Sequence, residues 1–163
     1  MGPELLRELR DKEGVAYVVR PFESRDRPAL DAMYHDFEPK RVAQGLPPGS
    51  PAGVKRWLDQ TLPNGRHWLI EDACRCVGHL MLMPMSEDAS ELANFLHQSV
   101  RNRGIGTALN AFALDRARAV GRRRVWLSVE PWNRAAIRSY EKVGFRRLPG
   151  SLWSPEIEME AVL

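Results

Sequence analysis

The sequence predicts a single-domain α/β fold in which a mixed, mostly antiparallel β-sheet is flanked by helices. Its 163 residues are the size of one domain and leave no room for a second independent one. A strand, a helix and a second strand follow one another over residues 91–130, which implies a parallel pair with a right-handed crossover. Two strand-like runs at 67–71 and 76–83, joined by a short polar turn, imply an antiparallel hairpin.

The first half of the chain alternates between helical and extended patterns. Leu5, Leu6 and Leu9 lie at helical spacing, so residues 1–14 are predicted to form a short N-terminal helical extension. The other elements predicted in this half are strands at 15–20, 67–71 and 76–83 and helices at 26–37 and 52–61. Residues 40–50, between these helices, are rich in glycine and proline and are interpreted as a loop and a candidate substrate lid.

The second half repeats a strand followed by a helix. The predicted strands lie at 91–96, 124–130, 145–148 and 156–161. A helix starts at the glycines at 104–106 and stops at Gly121, because apolar residues recur on one face: Leu109, Phe112, Ala113, Ala117 and Val120. Asn133 is a good N-cap for a further helix that carries Tyr140 on its inward face and ends before Gly144.

Composition limits the class of protein. With 44% apolar and 28% charged residues the chain has the composition of a soluble globular protein, and no apolar run approaches the roughly 20 residues of a membrane span. Residues 1–14 are interrupted by acids, so we expect no secretory signal and a cytoplasmic location. Cys74 and Cys76 lack further ligands at metal-binding spacing, so we predict reduced structural thiols and no metal. His79 is predicted to be a hydrogen-bonded structural histidine.

The net charge of +3 is unevenly distributed, since residues 101–124 hold seven arginines and one acid. Such a patch can bind nucleic acid or a polyphosphate. The aromatic residues that a single-strand platform needs are missing there apart from Phe112, which lies on the apolar face of the helix. We therefore predict a compact phosphate ligand and no nucleic acid.

The glycine-rich stretch at 100–109 is the turn around which the other elements are organised. The first helical N–H groups have no intrahelical partners and the helix dipole adds roughly half a positive charge, so together they can hold a phosphate. Gly104 and Gly106 leave room for it, while Arg101 and Arg103 add full charges. A leucine stands where a dinucleotide-binding G-x-G-x-x-G needs its third glycine, and no G-x-x-x-x-G-K-[ST] loop occurs.

Two motifs in this order resemble one family. The first is Arg101-x-x-Gly104-x-Gly106, and the second is Leu127-x-Val129-Glu130-x-x-Asn133-x-x-Ala136-Ile137-x-x-Tyr140-Glu141-Lys142-Val143-Gly144-Phe145. With the matching order of elements, the sequence resembles the GNAT superfamily of acetyl-CoA-dependent N-acyltransferases. The resemblance implies central parallel strands that splay apart for the cofactor. It also implies an enzyme that moves acetyl from acetyl-CoA directly to a primary amine in a ternary complex, without a metal.

The resemblance further implies which residues bind the cofactor. Backbone N–H groups of the turn would hold the pyrophosphate, and the preceding strand would pair with the pantetheine arm. The residues implied in this way are Phe95, Leu96, His97, Arg101, Asn102, Arg103, Gly104, Ile105, Gly106, Thr107 and Asn133. Tyr140 matches the position of the usual general acid.

The chemistry requires an acid and a base independently of the resemblance. An amine of pKa about 10.4 is only about 1 in 2,500 neutral at pH 7, so exposing its lone pair costs about 4.6 kcal/mol unless a base or a water chain takes the proton. Glu91, on the strand before the turn, is favoured as the base, with Glu130 as a second candidate; Asn94 could only orient a water. A tyrosine hydroxyl of pKa about 10 suits a leaving thiolate of pKa about 8.5.

Two other classes of function remain as alternatives. A non-catalytic acyl-CoA-binding or regulatory module would keep the fold but would not need Tyr140 beside the thiol. A nucleic-acid-binding domain is disfavoured by the small net charge. The acceptor is left open among polyamines, antibiotics, amino acids, protein N-termini and lysine side chains. We expect a small-molecule or protein amine as partner and no association with a membrane. A homodimer is one assembly that is compatible with the sequence.

Overall fold

The computed structural model describes residues 6–41, 46–73, 75–150 and 154–163. Within these ranges the strands are β1 (Arg7–Arg10), β2 (Ala16–Pro21), β3 (Arg66–Glu71), β4 (Cys76–Pro84), β5 (Ala89–Leu96), β6 (Arg124–Val129), β7 (Arg146–Arg147) and β8 (Ile157–Val162). The α-helices are α1 (Arg27–His35), α2 (Pro51–Thr61), α3 (Ile105–Ala119) and α4 (Arg134–Lys142). The predicted order of elements is confirmed from β2 onward.

These strands form one open sheet in the order β1-β2-β3-β4-β5-β6-β8-β7. Neighbours pair antiparallel except for β5 and β6, which are parallel. The crossover between these two strands contains α3, as the strand-helix-strand pattern predicts. The mixed, mostly antiparallel sheet is therefore confirmed.

The N-terminal segment forms a β-hairpin, so the predicted helix is wrong over residues 7–10. They form β1, which pairs antiparallel with β2 along its length. Asp11 closes the hairpin, because its Oδ1 accepts from the backbone N–H groups two and four residues later, both at 2.9 Å. A short isolated helix is marginal, whereas the edge of β2 offers this segment a full ladder of hydrogen bonds. Leu5, which belonged to the predicted helix, lies outside the described residues.

Some other predictions fall partly on residues outside the described ranges, and two predicted elements are shorter in the structure. The predicted loop at 40–50 falls partly on residues 42–45, which lie outside the described residues, as does Cys74. The strand predicted at 145–148 is shorter and covers only β7. The helix predicted to reach position 37 ends at His35, although Phe37 is still buried.

Helices cover both faces of the sheet. On one face α3 and α4 pack over the larger core, whose buried members include Trp68, Leu80, Leu109, Phe112, Leu127 and Met159. On the other face α1 and α2 pack over a smaller core that includes Leu30, Tyr34, Leu58, Met81 and Phe95. Side chains alternate along β5, so Leu92 belongs to the α3 face and Phe95 to the α1 and α2 face. One strand therefore contributes to two different surfaces.

A buried chain of hydrogen bonds runs beneath α1 and α2. The Tyr34 hydroxyl lies 2.7 Å from His79 Nδ1, and His79 Nε2 lies 2.9 Å from His67 Nδ1. His67 Nε2 contacts the carbonyl oxygens of Thr61 and Asn64 at 2.9 and 2.7 Å. Carbonyls only accept, so His67 Nε2 carries a hydrogen, and with neutral rings Tyr34 donates to His79 and His79 donates to His67. The prediction that His79 is a hydrogen-bonded structural histidine is confirmed.

Acid should destabilise the protein through these two rings. Burial, together with the neighbouring His67, lowers the pKa of His79 from 6.5 to about 3, and burial also lowers the pKa of His67. The contribution of neutral His79 to the free energy of unfolding is fully present above the ordinary pKa of 6.5, which the residue has in the unfolded chain. Below it the unfolded chain binds protons that the folded chain does not, so stability falls until the folded pKa is reached. His79 alone should remove about 2 kcal/mol from the free energy of unfolding at about pH 5.

Urea unfolding across this pH range measures the effect. His79→Gln should be less stable than the wild type near pH 8, because it disturbs the hydrogen-bond chain, but its stability should depend less on pH. His35→Gln is the control, since the His35 ring is exposed on α1, and it should keep the wild-type dependence. An unchanged pH dependence in His79→Gln would show that other groups cause the acid sensitivity.

Candidate active site

β5 and β6 form a fork at the centre of the sheet. They are paired over three positions, the last of which joins Glu91 to Trp126. Beyond these two residues the strands diverge, and no other described strand enters the space between them. The splayed parallel pair that the family resemblance implied is therefore present.

Backbone groups of β5 line the gap of the fork. The N–H of His97 donates to Val77 O at 2.8 Å, so the odd-numbered residues of β5 bond to β4. In an antiparallel ladder hydrogen-bonded and non-bonded pairs alternate, so the N–H and C=O groups of Asn94 and Leu96 point away from β4 into the gap. The resemblance implied that backbone groups of Phe95 and His97 bind the cofactor, but both residues use backbone groups to pair with β4 within the sheet.

The loop before α3 presents backbone N–H groups at a helix start. Asn102 and Gly104 have left-handed φ values of 61° and 89°, and Gly104 is the N-cap of α3. No described side chain caps this helix start. A Cβ atom on Gly106 would meet nothing closer than 3.8 Å, so its surroundings are open. The uncapped N–H groups and the helix dipole together form a site suited to a phosphate.

Arg101 is engaged by the protein, in contrast to the free charge predicted from the sequence. Its Nε donates to Leu96 O at 2.9 Å, and a terminal nitrogen donates to Glu38 O. The guanidinium carbon lies 5.0 Å from the centre of the Phe37 ring. Burial lowers the pKa of Arg101. The residue joins the edge of the gap to the segment that follows α1.

The turn between β1 and β2 contacts the loop before α3, a contact that the sequence reasoning missed. Lys12 N donates to Arg103 O at 3.0 Å, and the Arg103 guanidinium pairs with Glu13. Side-chain carbon atoms of Lys12 pass within 3.1 Å of the point where a Cβ of Gly104 would lie. A lysine from the N-terminal hairpin thus lies beside the helix start. The composition of the turn at 11–14, with aspartate first and glycine last, was the available signal.

A chain of polar side chains joins β5, α3 and α4 on the α3 face. Asn94 Nδ2 donates to Asn110 Oδ1 and Asn110 Nδ2 donates to Ser139 Oγ, both at 3.1 Å. Ser139 Oγ lies 2.9 Å from Thr107 Oγ1 in the first turn of α3. Asn94 Oδ1 is buried and accepts no hydrogen bond from a described residue. A buried acceptor left unpaired costs about 1–3 kcal/mol, so this atom suits a bound molecule that carries an N–H or O–H group.

Tyr140 follows Ser139 on α4 and carries the hydroxyl that the family resemblance assigned to the general acid. Its ring packs against Phe145, with ring centres 5.6 Å apart. No described residue forms a hydrogen bond with the hydroxyl. Burial raises the pKa of Tyr140 to about 12, so the group stays protonated at neutral pH. Asn133 uses its side chain to cap α4, where Oδ1 accepts from Ala136 N at 3.3 Å, and this confirms it as the N-cap.

The two candidate bases have different surroundings. Glu91 lies at the last paired position of the fork and is half-buried, and burial raises the pKa of its carboxyl. It forms no ion pair with a described residue. Glu130, one residue beyond β6, has both oxygens engaged by Arg41 at 2.7 Å. Both Glu130 oxygens are occupied by Arg41, whereas the Glu91 carboxylate is not held by any described cation, so these surroundings favour Glu91 as the group that meets the amine.

Cys76 is buried in β4, and burial raises the pKa of its thiol to about 11. Such a thiol is a poor nucleophile. Among the described residues, no group of three or more His, Cys, Asp or Glu side chains is arranged to hold a metal ion. None of the helices in the described ranges has the length and apolar character needed to cross a membrane.

Comparison with known proteins identifies the family. The model of the acetyltransferase (GNAT) family matches residues 30–145, which include the fork, the loop before α3 and α4. The chain belongs to the GNAT acetyltransferase family. A search of curated proteins gave no match to this GNAT sequence.

Solved GNAT structures share the fold over nearly the whole chain. The GNAT domain of S. lividans PAT is 18% identical with a TM-score of 0.82, and the match covers 97% of each chain. Mycobacterium smegmatis RimJ, solved in complex with CoA-disulfide, is 20% identical with a TM-score of 0.73 over 99% of this chain and 88% of its own. The ribosomal-protein-S5-alanine acetyltransferase from Vibrio fischeri is 17% identical with a TM-score of 0.73, over 98% of this chain and 97% of its own. At these identities the likeness shows the fold.

Proposed function

We propose that this GNAT protein is an N-acetyltransferase that moves an acetyl group from acetyl-CoA directly to a primary amine in a ternary complex. The observation that carries the proposal is the Tyr140 hydroxyl, which has no described partner and lies on the helix that contacts the uncapped start of α3 through Ser139. A module that only binds acyl-CoA needs the helix start and the gap but has no use for a free proton donor. The membership of the chain in the acetyltransferase family supports the same activity.

The groups around the fork fit acetyl-CoA. Phosphate oxygens would accept from the backbone N–H groups of residues 102–107, with Lys12 adding positive charge at that end. The amides of the pantetheine arm would pair with the backbone N–H and C=O of Asn94 and with the N–H of Leu96, whose carbonyl oxygen is held by Arg101, and Asn94 Oδ1 offers a further acceptor. When bound, acetyl-CoA supplies a thioester whose acyl carbon can be attacked by an amine.

The residues of the chain would then move two protons. Glu91 takes the proton that the acceptor ammonium must lose, which otherwise costs about 4.6 kcal/mol at pH 7 for a lysine-like amine. As the amine nitrogen bonds to the acyl carbon, the carbon–sulfur bond would break and Tyr140 would donate to the departing sulfur. Its raised pKa keeps the proton on the hydroxyl until that moment. The second proton that the nitrogen loses as it becomes an amide would restore the Tyr140 hydroxyl. The burial and raised pKa of Cys76 support direct transfer over an acyl-cysteine route.

The acceptor is proposed to be a small-molecule or protein amine. The likeness to a ribosomal-protein-S5-alanine acetyltransferase supports a protein amine as one of these classes. The face of the sheet that carries Glu91 is covered by α1 and α2, so acceptor contacts would come from these helices and the segment between them. The side chains of this region therefore determine which amine is used.

The proposal predicts that acetyl-CoA binds to the protein and stabilises it. A ligand present at about 100 times its dissociation constant adds about 2.7 kcal/mol to the free energy of unfolding. Calorimetry measures the affinity, which we expect in the micromolar range, and thermal unfolding measures the stabilisation. Failure to bind at about millimolar acetyl-CoA would refute the proposal.

Transfer is then followed by the release of free thiol from acetyl-CoA in the presence of a panel of primary amines. Alcohols with the same carbon skeletons are the matched controls, because they lack the amine nucleophile. Thiol release should require the amine. Binding of acetyl-CoA without transfer to any amine would favour the non-catalytic module.

A further inference from the structure

Arg41 fills a small cation site formed by Glu130 and Trp132. Its two terminal nitrogens each lie 2.7 Å from one oxygen of Glu130. The guanidinium carbon lies 5.9 Å from the centre of the Trp132 ring, and Trp132 Nε1 donates to Glu130 Oε2 at 3.1 Å. A carboxylate beside an aromatic face recognises guanidinium and ammonium groups. The segment after α1 thus supplies a cation to the segment after β6.

The three side chains differ in exposure. The side chain of Glu130 is 12% exposed, whereas that of Arg41 is 45% exposed. Trp132 is 64% exposed. Arg41 is exposed enough to move into water, where its guanidinium is fully solvated, whereas Glu130 would keep little contact with solvent. A mostly buried carboxylate without a partner is unfavourable and therefore favours another cation in the same place.

More negative charge surrounds this site than Arg41 neutralises. Glu158 is in register with Ser128 near the end of β6. Burial, together with the nearby charges of Glu130 and Glu158, raises the pKa of Glu156. Within the described residues neither Glu156 nor Glu158 forms an ion pair. The field at this end of the fork therefore attracts cations.

The cation site lies on the same face of the sheet as the proposed base. Glu91 and Trp126 are in register on parallel strands, so their side chains leave the sheet on one side. Glu130 follows β6 and bonds to Arg41 of the segment after α1, which places it on the face that α1 and α2 cover. At about 3.3 Å per residue, Glu130 lies about 13 Å along the strand direction from Trp126.

We propose that Glu130 and Trp132 bind a second positively charged group of the amine acceptor, and that Arg41 occupies their site until the acceptor arrives. The inference rests on the proposed N-acetyl transfer, because in that proposal the reacting amine of the acceptor lies beside Glu91. The acceptor class is an amine that carries an ammonium or guanidinium group about 10–13 Å from the reacting nitrogen. Linear diamines and basic peptides share this chemistry.

The test compares acceptors that differ only in the second charge. Thiol release is measured with linear diamines of increasing length and with monoamines of equal length. A second arm uses the tripeptides Gly-Gly-Arg and Gly-Gly-Gln. The wild type should favour the doubly charged acceptor by about tenfold or more in kcat/KM, mainly through KM, as expected for a charge-assisted hydrogen bond. The arm in which kcat/KM differs more between the doubly and the singly charged acceptor identifies whether the second charge belongs to a diamine or to a peptide.

Three variants assign the preference to the site. Glu130→Gln should bring the ratio of doubly to singly charged acceptor close to one. Arg41→Gln should raise the ratio several-fold, because it removes the internal competitor. Lys40→Gln removes a neighbouring exposed charge that pairs with Glu38, and it should keep the wild-type ratio. A wild-type ratio near one, or a lower ratio in Arg41→Gln, would overturn the inference.

A binding measurement separates this inference from the proposed function. The indole N–H resonance of Trp132, assigned with Trp132→Phe, should shift when a long diamine is added without acetyl-CoA. The shift should be lost in Glu130→Gln. A shift without acetyl transfer refutes the transfer and supports the cation site, whereas transfer without a shift refutes the cation site.

Discussion

Tyr140→Phe is expected to lower turnover by about 10²–10⁴-fold while the affinity for acetyl-CoA stays within a few-fold. The variant keeps the ring that packs against Phe145 and removes only a hydroxyl that has no described hydrogen-bond partner. Without this donor the sulfur must depart as an unassisted thiolate. The measurement is kcat and KM with the best amine of the panel, together with calorimetry for acetyl-CoA.

Tyr17→Phe is the matched control for a tyrosine with a structural role. The Tyr17 hydroxyl is buried and donates to Asp11 Oδ2 at 2.8 Å. Its removal leaves that carboxylate short of a partner, so the melting temperature should fall while turnover at saturating acetyl-CoA stays near the wild-type value. If Tyr140→Phe behaved in the same way, with reduced stability and ordinary turnover, the acid role of Tyr140 would be ruled out.

Gly104→Glu should weaken acetyl-CoA binding at least about 100-fold, equivalent to about 2.7 kcal/mol. The new carboxylate would lie beside the uncapped N–H groups of α3 and the Lys12 side chain, where a phosphate is proposed to bind. Gly104 has a φ of 89°, so any side chain there also strains the backbone by roughly 1–2 kcal/mol. That strain is small compared with a typical free energy of unfolding of about 5–15 kcal/mol, so the fold should persist. Calorimetry measures the affinity and circular dichroism follows the fold.

Two further variants separate charge from strain. Gly104→Lys imposes the same backbone strain and a similar bulk with the opposite charge, so it should bind acetyl-CoA at least about tenfold better than Gly104→Glu. Gly121→Glu creates the same kind of strain just beyond the other end of α3, where φ is 81° and a Cβ atom would meet no described atom within 4 Å. This variant should bind acetyl-CoA like the wild type. Wild-type affinity in Gly104→Glu would place the anion site elsewhere.

The sequence was sufficient for the parts of the fold that depend on neighbouring residues. The glycine turn, the apolar face of α3 and the Asn133 cap are each encoded within a few positions of one another. The parallel pairing of β5 with β6 follows from the handedness of a crossover that contains a helix. No local pattern shows where that pairing stops, so the fork was available only from the family resemblance.

Contacts between distant segments account for most of what the sequence could not predict. Arg101 looked free in the sequence because its partner, the carbonyl oxygen of Glu38, lies 63 residues away. Arg103 looked free because its partner, the carboxylate of Glu13, lies 90 residues away. The helical spacing of the N-terminal leucines was misleading because the competing partner, the edge of β2, exists only in the folded sheet. The engagement of Glu130 by Arg41 likewise joins residues that are 89 positions apart, and it supports the choice of Glu91 over Glu130 as the base.

Arg101 links the two sides of the site, because one guanidinium bonds both to Leu96 O at the gap and to Glu38 O after α1. His97 Nε2 reinforces the link through Asp36 Oδ2 at 2.7 Å. Coupling between two binding events is reciprocal in free energy. If an acceptor displaces the segment after α1, it changes the affinity for acetyl-CoA by the same factor by which acetyl-CoA changes the affinity for the acceptor. The order in which two substrates assemble is then a property of this link between them, and single substitutions at Arg101 would alter the cooperativity of their binding.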